Sequence, residues 1–326
     1  TLTRTTEAAC KLSTGLWKLD VASGIARSHY RGTDTIPGSY SGYLAELAAT
    51  QLALNPRDMT QAAWAKVTMT TAQTSTGIDG VANSCTRLTA AGVNSTALQT
   101  LAAAASSRTY SAFVKRVTGT GTIVLRQGTA TLDITALINS STFTLVQLNA
   151  NELNVAFGFQ INTSGDAIDV DCNQFEAGAF ATTPIPAAGS RNADLLSYQS
   201  AGNINSTIGT IYAEVSPYAR VAGTSQYVLG LVSGGGSGIL FRGGLGANLT
   251  DVTINDNTAN RANSNTGTDA LTQLTKVAAY WNVTGTVCRC FFGGGLGTES
   301  STFDGSMNAD VLAIATAGSG TTPLVG

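Results

Sequence analysis

Apolar and polar residues alternate along most of this chain with a period of two. Tyr110, Ala112 and Val114 alternate with Ser111, Phe113 and Lys115. Val155, Phe157, Phe159 and Ile161 alternate with Ala156, Gly158 and Gln160. Ile168, Val170 and Cys172 alternate with Asp169, Asp171 and Asn173. Successive side chains of a strand point to opposite faces, so each run predicts a strand with one face on a core and one in water. The second half behaves alike: Ile211, Ala213 and Val215; Tyr227, Leu229 and Leu231; Val277, Ala279, Trp281 and Val283; then Cys288, Cys290 and Phe292. Turn signals at Thr76–Gly80, Gly119–Gly121 and Ser164–Asp166 separate the first set. Short strands at this spacing predict an all-β chain of antiparallel sandwiches, not a parallel α/β sheet.

Two stretches interrupt the alternation. Leu44 to Leu54 reads equally as a short helix or as extended chain, since Asn55-Pro56 stops it at once. Thr182–Gly189 carries Pro184 and Pro186, which remove ladder donors and favour an extended connector. The expected organisation is a connecting segment over 1–40, one sandwich over 41–186 and a second over 187–326. No solenoid or propeller repeat is present.

Composition narrows the function. A chain of 326 residues is long enough for about two domains, each with a proper core. Charged residues make up 12%, well below the roughly 25% usual for soluble domains, while 43% hydrophobic residues argue against disorder. A net charge of −2 excludes a protein held to nucleic acid by phosphate neutralisation. No apolar run reaches the ~18 residues of a membrane span. With 36 glycines and abundant Thr, Ser and Asn, the surface is expected to be neutral and lined with hydroxyls and amides. Five cysteines are an odd number, so at least one stays free or pairs between chains. Cys288 and Cys290 share a strand face, lack the CxxC spacing and read as packing residues.

Candidate chemistry is sparse. The glycine clusters Gly234–Gly238 and Gly293–Gly297 lack the Lys-Ser/Thr of a phosphate loop and read as hairpin turns. His29 is the single histidine, and no Gly-x-Ser-x-Gly elbow accompanies it, so Ser28-His29-Tyr30 reads as a surface strand. Twenty acidic residues leave a two-carboxylate glycosidase open on composition, but no aromatic-rich cleft surrounds a pair. Asp166, Asp169 and Asp171 form the densest acidic group. Calcium is one reading, and a solvated outer face that deters edge pairing is the favoured one. Asp251, Asn255, Asp256 and Asn257 make a weaker version. Trp17, Tyr40, Tyr43, Tyr198 and Tyr218 lie near Gly, Ser or Pro and are candidates for stacking on sugar rings, whereas Trp64 and Trp281 read as core. Six Asn-x-Ser/Thr sequons (Asn94, Asn139, Asn162, Asn205, Asn248, Asn282) arise by chance in such a chain.

Several segments carry a resemblance. Thr1–Ala8 (TLTRTTEA), Gly24–Tyr30 (GIARSHY) and Tyr43–Asn55 (YLAELAATQLALN) resemble the opening of many tailed-bacteriophage virion proteins. So do Ala62–Trp64, Asp79–Asn83, Arg87–Ala90 and Tyr110–Arg116. Asp166–Pro186 (DAIDVDCNQFEAGAFATTPIP) resembles the close of a carbohydrate-binding-module-like jelly roll in phage tail-fibre and related surface proteins. Ala193–Ser197, Gly209–Val215 and Asn308–Ile314 are similar to a concanavalin-type, laminin-G-like sandwich.

The resemblance implies a non-enzymatic virion surface protein, a tail fibre or capsid-decorating fibre, assembled in the host cytoplasm and then extracellular. Its implied partners are other capsid or tail proteins, further copies of itself and host-surface polysaccharide, with no nucleic acid and no membrane insertion. Residues 1–40 would pack on another virion component. The alternatives are a purely structural head-decoration or tail component without ligand, and a glycan-degrading tailspike enzyme. Such proteins continue past the equivalent of Pro323–Gly326, which implies either a trimmed chain or a partner chain completing the edge by strand addition. No catalytic, metal or cofactor-binding residue transfers, and no cofactor is implied.

Overall fold

The computed structural model describes residues 2–3, 7–12, 14–25, 28–30, 41–44, 46, 48–199, 204–215, 226–232, 237–245, 249–256, 260–266, 275–293, 295–300 and 311–314. Among these, every regular element is a strand and every pairing is antiparallel. Within the ambiguous stretch before Asn55, Ala49–Gln51 is a strand. No helix among the described residues is long and apolar enough to cross a membrane.

The first sandwich packs two five-stranded sheets. One runs Ala130–Asp133, Ile123–Gln127, Ala156–Ile161, Ser95–Thr100, Ala65–Val67. The other runs Thr144–Glu152, Ser106–Thr118, Ala167–Ala177, Cys85–Ala90, Met69–Ser75. Most consecutive strands change sheets, the winding of a jelly roll. The alternation read from sequence supplies the core: Tyr110, Ala112 and Val114 face Phe157, Phe159 and Ile161. Phe157 stacks on Phe175 with centroids 4.2 Å apart, and Trp64 meets Phe157 edge-on at 5.7 Å.

One residue breaks the expected phase. In Ala167–Ala177 two residues, Cys172 and Asn173, lie opposite Ala112 alone, and Cys172 takes φ +47°. This bulge inverts the alternation beyond it. Asn173, not Cys172, turns inward, where its Oδ1 accepts the Tyr110 hydroxyl at 2.7 Å and its Nδ2 donates to the Pro56 carbonyl at 2.9 Å. Cys172 stays buried on the outside of the sheet.

That outer face is covered, which alternation alone does not foretell. A hairpin of Ala8–Lys11 and Trp17–Val21 lies across it. Ala9, Trp17 and Leu19 cluster with Ile78, Phe113 and Cys172, and the Trp17 N–H donates to the Ile78 carbonyl at 2.9 Å. This part of the 1–40 segment therefore packs on its own chain. Ala49–Gln51, paired with Gly189–Arg191, lies along the edge of Ala167–Ala177 that Cys85–Ala90 leaves free. Gln51 acts as a substitute backbone there: Oε1 accepts the N–H of Ala53 and Phe175, and Nε2 donates to the carbonyls of Asn173 and Ile185. The proline-containing segment is thus fastened to the first sandwich, through Thr183 and Ile185 and on to Asp194.

The second sandwich has a seven-stranded sheet in the order Leu2–Thr3, Leu195–Gln199, Val311–Ile314, Gln226–Val232, Ser237–Leu245, Leu249–Asp256, Asn260–Thr266. Leu2–Thr3 thereby pairs with the strand that begins at Leu195. Its last two strands lie against a four-stranded sheet, ordered Ile208–Val215, Thr275–Asn282, Val287–Phe292, Gly295–Ser300. Val277, Ala279, Trp281, Cys288, Cys290 and Phe292 are buried on its inner side. Gly209 sits opposite Trp281, where a Cβ would stand 2.3 Å from the indole ring. Only glycine leaves that ring its place.

Candidate functional site

The acidic group of the first sandwich is not a solvated face. Asp166, Asp169 and Asp171 are all buried, and each meets a cation. The expectation of a wet outer face fails because each carboxylate is enclosed by cations: Arg57, from the loop after Ala49–Gln51, at Asp171; Arg87 and Lys115, from the neighbouring strands, at Asp169; and Arg116 at Asp166. Arg57 donates through Nε and Nη2 to Asp171 at 2.8 and 2.9 Å, a bidentate pair. Asp171 also accepts the N–H of Ile78 and of Cys172, so both oxygens are saturated. Arg57 Nη1 reaches Asp79 at 2.7 Å. Gly77 permits this convergence, since a Cβ there would lie 2.5 Å from both Arg57 Nη2 and Asp171 Oδ2. Asp169 lies between Arg87 and Lys115 in register and accepts Arg87 Nε at 2.9 Å and Ser75 Oγ at 2.7 Å. Asp166 accepts the Gly121 N–H at 2.7 Å, and Arg116 lies 3.4 Å away.

Titration follows from these contacts. Burial pulls the Asp79 carboxyl up, but the Arg57 hydrogen bond and charge outweigh it, leaving its pKa below the usual value. Burial pushes the Cys85 thiol up to about 12 and, with the Asp171 charge, pushes Cys172 up as well. Neither is a nucleophile near neutral pH. Glu176 is raised by burial despite hydrogen bonds from Gln174 and Thr182. Among the described residues no group of three or more His, Cys, Asp or Glu is placed to hold a metal ion. The calcium reading of Asp166, Asp169 and Asp171 gives way to guanidinium pairing. These carboxylates lock the fold and present no open site.

The other candidates separate cleanly. Trp17 is not a loop aromatic: its strand alternates, and the indole is 8% exposed, edge-on to Phe113 at 5.4 Å. Trp64 and Trp281 are core residues. Tyr43 and Tyr198 lie on strands whose side chains are outside the description, and Tyr40 and Tyr218 lie outside the described residues. His29 is on the strand Ser28–Tyr30, paired with Ser41–Tyr43, again described only as backbone. Asp251, Asn255 and Asp256 belong to Leu249–Asp256, and Asn257 is outside the description. Cys288 and Cys290 share the buried face as expected. Gly293 makes a turn at φ +59°.

The surface that can take a ligand lies elsewhere, on the outer face of the four-stranded sheet. Register places its side chains in rows across the strands. One row is Tyr212, Ala278, Phe291 and Leu296; the next is Thr210, Tyr280 and Arg289; beyond these come Ile208, Asn282 and Val287 on one side and Glu214 and Lys276 on the other. Tyr212 is 55% exposed, Leu296 58% and Ile208 46%, while Tyr280, Phe291 and Arg289 are half-buried. The Tyr212 hydroxyl donates to Glu214, which fixes the ring and raises the tyrosine pKa, and Lys276 Nζ lies 3.9 Å from the same carboxylate. Such a face can stack apolar ring surface and hydrogen-bond at its rims. Its rings sit within strands, so no neighbouring Gly, Ser or Pro marks them as loop aromatics. Their phase carries the signal: Tyr212, Tyr280 and Phe291 fall between core positions, where outward residues belong.

No protein-family model matches the sequence, and no curated protein matches it. Among solved structures, the chain is similar to the N-terminal CBM22-1–CBM22-2 tandem domain of Paenibacillus barcinonensis Xyn10C, at 12% identity and TM-score 0.30, covering 85% of this chain and 100% of that one. It is also similar to the full extracellular region of zebrafish Gpr126/Adgrg6, at 14% identity and TM-score 0.23, covering 71% of this chain and 32% of that one. Scores this low carry no functional argument. The all-β, antiparallel sandwich architecture rests on the strands themselves.

Proposed function

We propose that this chain is a non-catalytic structural and adhesive protein on the surface of a tailed-bacteriophage particle, and that the open face of its four-stranded sheet binds host-surface glycan. Support for the virion setting comes from the sequence resemblance of TLTRTTEA, YLAELAATQLALN and DAIDVDCNQFEAGAFATTPIP. One observation carries the glycan part: Tyr212, 55% exposed and pinned by Glu214, projects from a sheet face it shares with Tyr280 and Phe291. Single shallow sites of this kind bind weakly, so a homo-oligomer anchored to other virion proteins supplies avidity.

The test labels the native oligomer and measures its adhesion to a panel of bacterial strains before and after periodate oxidation of surface sugars. Adhesion that periodate abolishes is the expected result. Adhesion to no strain returns the protein to a purely structural head-decoration or tail role. Release of reducing ends from the bound polysaccharide would make it a tailspike enzyme.

A further inference from the structure

Resting on that glycan reading, we infer that the site takes the interior of an extended polysaccharide lying across the strands, not a chain terminus. Neighbouring strands are ~4.8 Å apart, so Tyr212 and Phe291, two strands apart in one row, stand about 10 Å from each other. Ala278 lies between them and makes a low point flanked by two rings. Leu296 extends the row by one more strand. Tyr280 sits on the middle strand, two residues along, and so projects into the neighbouring row. Three staggered rings on three adjacent strands offer consecutive stacking positions to a chain of sugar units. A single ring would occupy one of them.

The rims suit hydroxyl-rich ligands. Thr210, Asn282 and Arg289 line one side, and Glu214 and Lys276 the other. Tyr212 is held by its bond to Glu214 before any ligand arrives, which lowers the entropy lost on binding. Charges of both signs stand at the rims, Arg289 on one side and Glu214 and Lys276 on the other. Rings edged by hydroxyl, amide and charged groups match the apolar ring faces and the hydroxyls of a saccharide. The rows run over the sheet from its Ile208–Val215 edge to Gly295–Ser300, and among the described residues none of these positions walls off an end.

The experiment uses polysaccharide extracted from a strain to which the protein adheres, cut into a size ladder. Each fraction is titrated against the full-length native oligomer by calorimetry, with intact and with borohydride-reduced ends. Affinity is expected to climb with length until the row is spanned and to ignore end reduction. Tyr212→Ala is expected to weaken polymer binding by about 3- to 10-fold, the scale of one lost aromatic contact, with Tyr212→Phe in between. Three results would overturn the inference while leaving glycan binding intact: a monosaccharide that competes as well as the polymer, binding abolished by end reduction, or wild-type affinity in Tyr212→Ala. Loss of binding to every fraction by the wild-type protein defeats the underlying reading itself. A change of sedimentation in Tyr212→Ala without a change in glycan affinity would assign the face to contact between copies.

Discussion

Phe113 and Phe291 occupy matching situations in the two sandwiches. Each projects from the outward side of a sheet, out of phase with the core residues beside it. Phe113 is 7% exposed under the N-terminal hairpin, edge-on to Trp17. Phe291 lies half-buried in the row of exposed Tyr212. Acidic neighbours differ likewise. Asp169 and Asp171 are buried with Arg87, Lys115 and Arg57, whereas Glu214 stays at the surface with Tyr212 and Lys276. What divides the two faces is not the strand. A remote segment lies over one, and the other is left open.

If charge pairing holds the first face, its most heavily bonded carboxylate, Asp171, must carry the largest effect. Asp171→Ala leaves Arg57 with only Asp79 and Ser84 and the Ile78 N–H without its acceptor. Breaking a buried pair by removing one member costs about 3–5 kcal/mol. Urea denaturation of the purified variant measures it, and a loss under ~1 kcal/mol would mean that water reaches the pair after all.

The cover itself comes next. Trp17→Ala opens the space above Phe113 and Cys172, with an expected loss of about 3 kcal/mol, the lower end for a buried tryptophan. The Cys172 thiol, inert when sealed, should then react with a disulfide reagent at a measurably higher rate. Unchanged thiol reactivity together with unchanged stability would show the hairpin to be loosely laid.

These two residues mark what sequence makes legible. Local pattern assigns both Asp171 and Trp17 to water, for opposite reasons. Alternation gives the side of the sheet for Asp171 correctly, but the partner that neutralises it is Arg57, 114 positions away. No local pattern encodes that distance. Trp17 sits in WKLDV, whose alternation is as clean as any core strand; the nearby glycine draws the reading toward a loop. Core strands are legible because burial and period two are properties of neighbours, as Phe157 and Phe159 show. The bulge at Cys172 is not, since it depends on register against Ala112. Tyr212 is legible by phase and is passed over when sugar-stacking rings are sought in turns.

Acid should separate the faces further. Burial raises the Asp79 carboxyl, but Arg57 together with hydrogen bonds from Val81 and Ser84 more than reverses it, and at Asp58 the hydrogen bonds of Thr60 and Gln61 with the Lys66 charge likewise overcome burial, so both pKa values end below the usual one. A lowered carboxyl adds stability above its unfolded pKa and loses it as pH falls through the folded one. The first sandwich should therefore weaken as pH drops below the usual carboxylate range, and Asp79→Asn should flatten that slope. Glu176, raised by burial, acts oppositely: its contribution is full in acid and declines as pH rises through its folded pKa. Glu176→Gln should remove that decline in melting curves taken across mildly acidic pH, and a slope unchanged by it would place the titration elsewhere.

The smallest effect is the sharpest test of the comparison. Tyr212 is 55% exposed, and its only side-chain hydrogen bond in the described structure joins Glu214, itself at the surface. Tyr212→Ala removes little buried area, so stability should stay within about 0.5 kcal/mol of wild type, as for surface substitutions generally. The same chemical change, an aromatic outward residue cut to alanine, thus costs about 3 kcal/mol at Trp17 and nearly nothing at Tyr212. A ring that adds no stability yet is held in place by a hydrogen bond is arranged for something outside the chain. Were Tyr212→Ala to unfold the protein as readily as Trp17→Ala, the ring would be part of the fold, and the open face would lose its claim to a ligand.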